Sequence, residues 1–447
     1  ARKRLAQFYI DKGDHAAAYP VLAELHKLQP DNKAVVKKQY ETAQNLGKDR
    51  EAIEHLKNYL KLDPDNAGAH GRLGTLLYKQ KAHDGALEAF RKAVELDPKI
   101  TGIYDEYGEI VVSKGLKDEA VKVLNAAIAS GEADTETYVT LGKIYREKKK
   151  FDDAIAMFGK ALERKPKDVG LLRTLADAQA AGGKIADAIV TYEQVVMLDS
   201  GAKEDYRKLG DLRTREGKEA DAIKAYKKYV KRVPSAAGTA RKIGLHEYAA
   251  GNYKEALTYL KMVKDAELHS VQYLEALGMS YYHTGDYGNA AQSLALVRKK
   301  NASTTVLKKI LVPLGKSYEK SSKPLQAADA YDAYVGLKGV KDADAAYKRA
   351  RLREKTDNAK AVELYERNTR EFPKDYRNFL RLGLIYAGKR QDLSRAAQRL
   401  TSASRLIDTM AVVWEKLGEV QGNLGNKEGE LAAYEKLLSM NPQHLAA

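Results

Sequence analysis

The chain has 447 residues, with 77 Lys+Arg against 61 Asp+Glu, a formal charge of +16 and a pI near 9.4. Its zero cysteines exclude a disulfide framework, thiolate zinc sites, iron–sulfur clusters and a cysteine nucleophile. No apolar run approaches the roughly 18 residues that a membrane-spanning helix needs. The chain begins at Ala1 with no signal-peptide pattern, so a processed or partial chain is expected.

In chain order, the residues repeat before they divide into domains. A small residue recurs at Ala18, Ala52, Ala86, Ala120, Ala154, Ala188, Ala222, Ala256 and Ala290, always 34 residues apart. It continues at Ala327, Ala361, Ala396 and then Glu430, at steps of 37, 34, 35 and 34. In segments such as YVTLGKIYREKKKFDDAIAMFGKALERKP and WEKLGEVQGNLGNKEGELAAYEKLLSMNP, a Leu-Gly pair places its glycine twelve positions before that residue. Tyr138, Leu141 and Tyr145 fall at helical spacing, as do Ala154, Phe158 and Ala161. Each set makes one apolar stripe, which predicts two amphipathic helices per unit. Gly13, Gly47, Gly115, Gly183, Gly217, Gly251, Gly285 and Gly425 stand between the two, where positive φ is needed. Pro30, Pro64, Pro98, Pro166, Pro234, Pro373 and Pro442 stop the second helix. Thirteen such units fill the chain. None can bury its own apolar faces, so neighbours must stack.

With Trp414 at the aromatic position of the last unit, and Tyr104, Tyr138 and Tyr206 in its place elsewhere, the chain resembles a tetratricopeptide-repeat array over essentially its whole length. The resemblance implies an all-α, right-handed superhelical solenoid of about thirteen helix-turn-helix repeats whose first helices line a concave groove. Departures fall at Tyr40, where a small residue belongs, at AAYKRARL after Lys338, at Glu430, and at three extra residues between the ninth and tenth units. They predict a regular array of nine repeats over 1–300 and a less regular one of four over 301–447, within one continuous solenoid. Residues 298–308 would form the joint, or else simply a lengthened helix or loop. The chain opens inside a first helix and stops at NPQHLAA, which reads as the start of another unit, so continuation at one or both ends is expected.

No HExxH, P-loop, dinucleotide fingerprint, calcium loop or nucleophile elbow is present. The nine histidines are scattered over different repeat positions. Acidic pairs such as Asp118–Glu119 and Asp152–Asp153 suit helix dipoles and local capping. No catalytic residue, metal site or cofactor is therefore expected.

The resemblance implies which side chains face the groove. They are Arg207, Arg215 and Arg241, then Leu245, Tyr248, Met279, Tyr282 and His283, then Lys309, Lys316 and Lys320. An aromatic and methionine patch flanked by cations suits an apolar anchor beside an acidic group or a terminal carboxylate. The alternative is that Tyr248 and Tyr282 pack as core. The carboxylate clamp of chaperone-binding relatives is not matched, because the corresponding Lys3, Gln7, Lys38, Gly68 and Arg72 lack its two asparagines.

Charge sharpens the choice of partner. Residues 1–200 hold 32 basic and 31 acidic residues, 201–400 hold 41 and 24, and 401–447 hold 4 and 6. The whole excess lies in the middle segment. It reads as solvated helix faces, as a positive field that docks an acidic protein segment, or as a nucleic-acid surface. We expect a non-catalytic scaffold or adaptor that binds a protein or peptide, ahead of nucleic acid. The setting expected is a bacterial envelope assembly or secretion system, with periplasm favoured over cytoplasm by the lack of cysteine. The second expectation is an accessory module of a larger enzyme or secretion machine.

Overall fold

The computed structural model describes residues 1–199, 201–388 and 391–440. Among them are 26 α-helices and no strand, and the helices pair in chain order into thirteen hairpins. We call the helices of each repeat A and B. The fold is an all-α solenoid in which helices pack on their chain neighbours. The chain divides into two compact units, 1–222 and 223–447, at a position within helix B of repeat 7 (Glu219–Arg232). Each is described by itself.

Repeat 5 shows why these residues make a hairpin. Asp134 caps helix A (Thr135–Glu147), accepting the Thr137 N–H at 2.7 Å, while the Asp134 N–H donates to Thr137 Oγ1 at 3.2 Å. Leu141, Ala154, Phe158 and Ala161 are fully buried between the helices. Helix B (Phe151–Arg164) stops just before Pro166. The expected prolines elsewhere do the same, except that Pro442 and the NPQHLAA end lie outside the described residues.

The glycine of the Leu-Gly pair lets the helices approach, but its partner is not the anchor alanine. A Cβ on Gly142 would lie 2.6 Å from Phe158 Cε1, and one on Gly278 2.6 Å from Leu294 Cδ2. The bulky residue four positions after the anchor fills the space that the glycine leaves.

In every repeat but the eleventh the turn between A and B uses one left-handed residue. Glycine supplies it in most repeats, for example Gly183 at φ 81°, but Lys81 (60°), Lys149 (58°), Ser322 (57°) and Gln391 (50°) adopt it without glycine. A side chain costs about 1–2 kcal/mol in that region, partly offset by glycine's greater unfolded-state entropy. Lys149→Gly is therefore expected to stabilise the first unit by up to about 1 kcal/mol, read as a higher denaturant midpoint. No gain would refute backbone strain at this turn.

Several tyrosines pack fully in the interior. Tyr192, Tyr273, Tyr331 and Tyr365 are among the largest fully buried side chains. Burial is tolerated because the hydroxyls find acceptors. Tyr192 donates to Asp177, Tyr331 to Glu319, and Tyr365 to Glu354 at 2.5 Å. The acidic pairs lie in the first turn of helix B, where the helix dipole favours them, but they do not cap it. The first member of each reaches the next repeat instead, Asp118 to Lys148 and Asp152 to Lys184 at 2.6 Å.

Three repeats depart in the second unit. Helix B of repeat 8 is cut to Tyr253–Leu260 and followed by a 3-10 turn at Ala266–Leu268. Tyr273 compensates by donating its hydroxyl to the Leu260 and Val263 carbonyls at 3.0 and 3.4 Å. The inserted residues before repeat 10 are taken up by a 17-residue helix A, Thr304–Lys320. In repeat 11 the glycine position holds Arg349, buried to 4% exposure, with Nη1 on Asp332 at 3.1 Å and Nη2 on Asn368 at 3.3 Å.

Candidate partner-binding surface

In the first unit, charged groove positions are largely paired along and between helices A. Arg173 of repeat 6 bonds Asp199 at 2.7 Å and Asp205 at 2.8 Å. Lys208 reaches back to Asp177 at 2.7 Å and to the Tyr192 hydroxyl at 2.9 Å. Arg207 is held by Glu204 and Asp211, both at 2.9 Å, within its own helix (Lys203–Arg215). Arg215 is exposed at the last residue of that helix.

In the second unit, helices A of repeats 8 (Ala237–Ala249), 9 (Val271–His283) and 10 carry the remaining sequence-predicted residues. Arg241 is half-buried, with Nη2 3.4 Å from Ser270 Oγ and Nε without a hydrogen-bond partner among the described residues. Tyr248, half-buried, donates to Glu275 at 3.3 Å, and Lys309 lies 4.0 Å from the same carboxylate. Burial, with the Glu275 charge adding, pushes the Tyr248 phenol up to about 12, so it stays a donor at neutral pH.

The rings form a row. Tyr248 tilts against Tyr253 at 6.2 Å, Tyr253 stacks on His283 at 4.1 Å and 10°, and His283 meets Tyr282 edge-on at 5.3 Å. Tyr282 continues to Tyr287 at 5.9 Å. Leu245 and Met279 are half-buried on helices A of repeats 8 and 9, while Lys309, Lys316 and Lys320 are exposed along helix A of repeat 10. Among the described residues there is no cluster of three metal-ligating side chains, and no helix is long and apolar enough to cross a membrane.

Models of the tetratricopeptide repeat match residues 41–99, 145–210, 207–267, 241–303 and 411–444. The chain belongs to the tetratricopeptide-repeat family. No curated protein matches it. Among solved structures, Naa15/Naa10 bound to HypK-THB aligns over 97% of this chain and 67% of that one, at 17% identity and a TM-score of 0.41. YrrB, described as a TPR protein with an unusual peptide-binding site, covers 41% of this chain and 94% of its own, at 19% identity and a TM-score of 0.34. The P58(IPK) TPR domain covers 95% and 98%, at 15% identity and a TM-score of 0.24.

As a tetratricopeptide array, the chain is a protein-interaction scaffold, and the fold is typically a non-catalytic module. Of the groove residues that the repeat pattern indicates, the structure brings Tyr248, Tyr282 and His283 into one ring row and sets Lys309 beside its Glu275 neighbour. Arg207 and Arg215 belong to the other unit. Sequence reasoning missed Tyr253, which joins Tyr248 to His283 from the start of a helix B. The signal was present, since an aromatic opens helix B at Phe151, Tyr253 and Tyr287.

Proposed function

We propose that the scaffold holds a partner polypeptide on the second unit, with an apolar anchor of the partner against the Tyr248–Tyr253–His283–Tyr282 row and an acidic group toward Lys309, Lys316 and Lys320. The observation that carries this reading is the continuous row of half-exposed rings beside exposed lysines. Aromatic rings give contact area at low entropic cost, and nearby cations steer an acidic segment and fix its register. The same lysines also favour polyanions, so the competing reading is nucleic acid.

The test is a photo-crosslinker placed at Tyr282, followed by affinity measurement with the protein captured. Tyr248→Ala with Tyr282→Ala is expected to weaken that partner at least about tenfold, as loss of two aromatic contacts would. An unchanged affinity would sink the reading. Nuclease treatment that lowers the absorbance ratio of the purified chain would favour nucleic acid instead. The bacterial-envelope setting rests on the cysteine-free composition. Release of the native protein by osmotic shock tests it.

A further inference from the structure

The first unit holds a recess of the opposite sign. Helix A of repeat 4 (Tyr104–Ser113) forms one wall, helix A of repeat 5 the other, and helix B of repeat 4 (Lys117–Ser130) the floor. Two local features open it. Helix A of repeat 4 has ten residues where its neighbour in repeat 5 has 13, because a turn with Gly102 at φ 77° precedes it. Gly108 also leaves room above Leu124, whose Cδ2 lies 3.2 Å from where a Cβ would stand. Leu124, Ala127 and Val112 make an apolar lining.

The rim is acidic, with Asp105, Glu109, Asp134 and Glu136. Asp134 is committed to capping and Glu109 accepts the Tyr78 hydroxyl. Asp105 is different. No cation or hydrogen-bond donor among the described residues pairs with it, and desolvation, then Asp134, Glu132 and Glu109, hold its carboxyl above the usual range. Glu136 reaches only Thr140 at 3.3 Å and the exposed Lys143 at 3.8 Å. Residues 101–140 carry eight acidic and three basic side chains, inside a chain of net +16.

We propose that this recess takes an arginine side chain from an extended basic segment of a partner protein. Its methylene stem would lie on Leu124, Ala127 and Val112, and its guanidinium between Asp105 and Glu136. An apolar floor with the unpaired Asp105 and the weakly held Glu136 at the mouth matches both halves of that side chain. The local acidic excess of residues 101–140 attracts a basic segment to this place, whereas the lysine-rich 201–400 stretch repels it. The inference is independent of the tyrosine surface on the second unit.

The probe is fluorescein-labelled octa-arginine titrated with the full chain and read by anisotropy. Asp105→Asn with Glu136→Gln, neither of which caps a helix, is expected to weaken binding at least about tenfold, in line with two charge-assisted contacts. Val112→Ala, which leaves charge unchanged, is expected to weaken it about threefold through lost stem contact. Glu88→Gln with Glu95→Gln, exposed on helix B of repeat 3, should leave affinity within twofold. An unaffected Asp105/Glu136 variant, an unaffected Val112 variant, or an equal loss in the Glu88/Glu95 control would each overturn the proposal. Circular dichroism melts of all variants confirm that folding is retained. Because no residue of the ring row is altered, failure here leaves the Tyr248/Tyr282 reading standing.

Discussion

Gly142→Ala is expected to lower the stability of the first unit by about 2 kcal/mol, although alanine is the better helix former. The new Cβ would stand 2.6 Å from Phe158 Cε1, 2.8 Å from Cδ1 and 3.0 Å from Cζ. That ring is fully buried among Ala154, Ala178 and neighbouring apolar groups, so it has no open volume to turn into. Overpacking of this kind costs about 1–3 kcal/mol. Gly159 provides the internal comparison. It lies in helix B of the same repeat with nothing within 4 Å of its missing Cβ. Gly159→Ala should gain up to about 1 kcal/mol from helix propensity alone. Thermal denaturation of the two variants should thus move in opposite directions. If Gly142→Ala melts with Gly159→Ala, close approach of the helices is not what holds this repeat.

Glu354→Ala is expected to cost the second unit about 3 kcal/mol, because it strands charge and polarity below the surface. Glu354 ends helix A of repeat 11 and is 7% exposed. It accepts the Tyr365 hydroxyl at 2.5 Å, Arg381 Nε at 2.8 Å and Arg351 Nη1 at 3.1 Å, and it also meets Arg381 Nη2. Burial alone would raise its pKa, but the bonds from Arg381 and Tyr365 outweigh that and lower it. Glu354→Gln keeps an acceptor for Tyr365 and loses the charge, so about half the effect is expected.

The sign of the acid response follows. With a folded pKa below the unfolded value of about 4.3, ionised Glu354 stabilises fully above that value. The contribution is lost as pH falls through the folded pKa. Denaturant midpoints of the second unit should therefore fall below about pH 4, more steeply in the wild type than in Glu354→Gln. Parallel acid slopes would show that Glu354 carries none of the response.

The sequence alone was enough for the hairpins. Their signals are local: the anchor alanine every 34 residues, the glycine twelve before it, and the proline after helix B. A solenoid makes its contacts between chain neighbours, so such signals determine nearly the whole architecture. The same pattern placed Tyr248, Tyr282 and His283 on successive helices A. It did not show that Tyr253 would join them, because that ring comes from the other helix of its repeat.

Composition and charge proved the least legible. The +16 is nearly all a property of the second unit, since residues 1–222 hold 38 basic and 37 acidic side chains and residues 223–447 hold 39 and 24. Arg173, Lys208, Arg381 and Arg399 are consumed by carboxylates 26 to 33 residues away, one repeat along. Lysines 309, 316 and 320 are left exposed, and Asp105 is left unpaired in an acidic recess. Repeat spacing, turn glycines and helix stops were determined by sequence, because each acts within one hairpin. Which charges cancel, which rings meet and where a recess opens were decided only by stacking, because these depend on the register of one hairpin against the next.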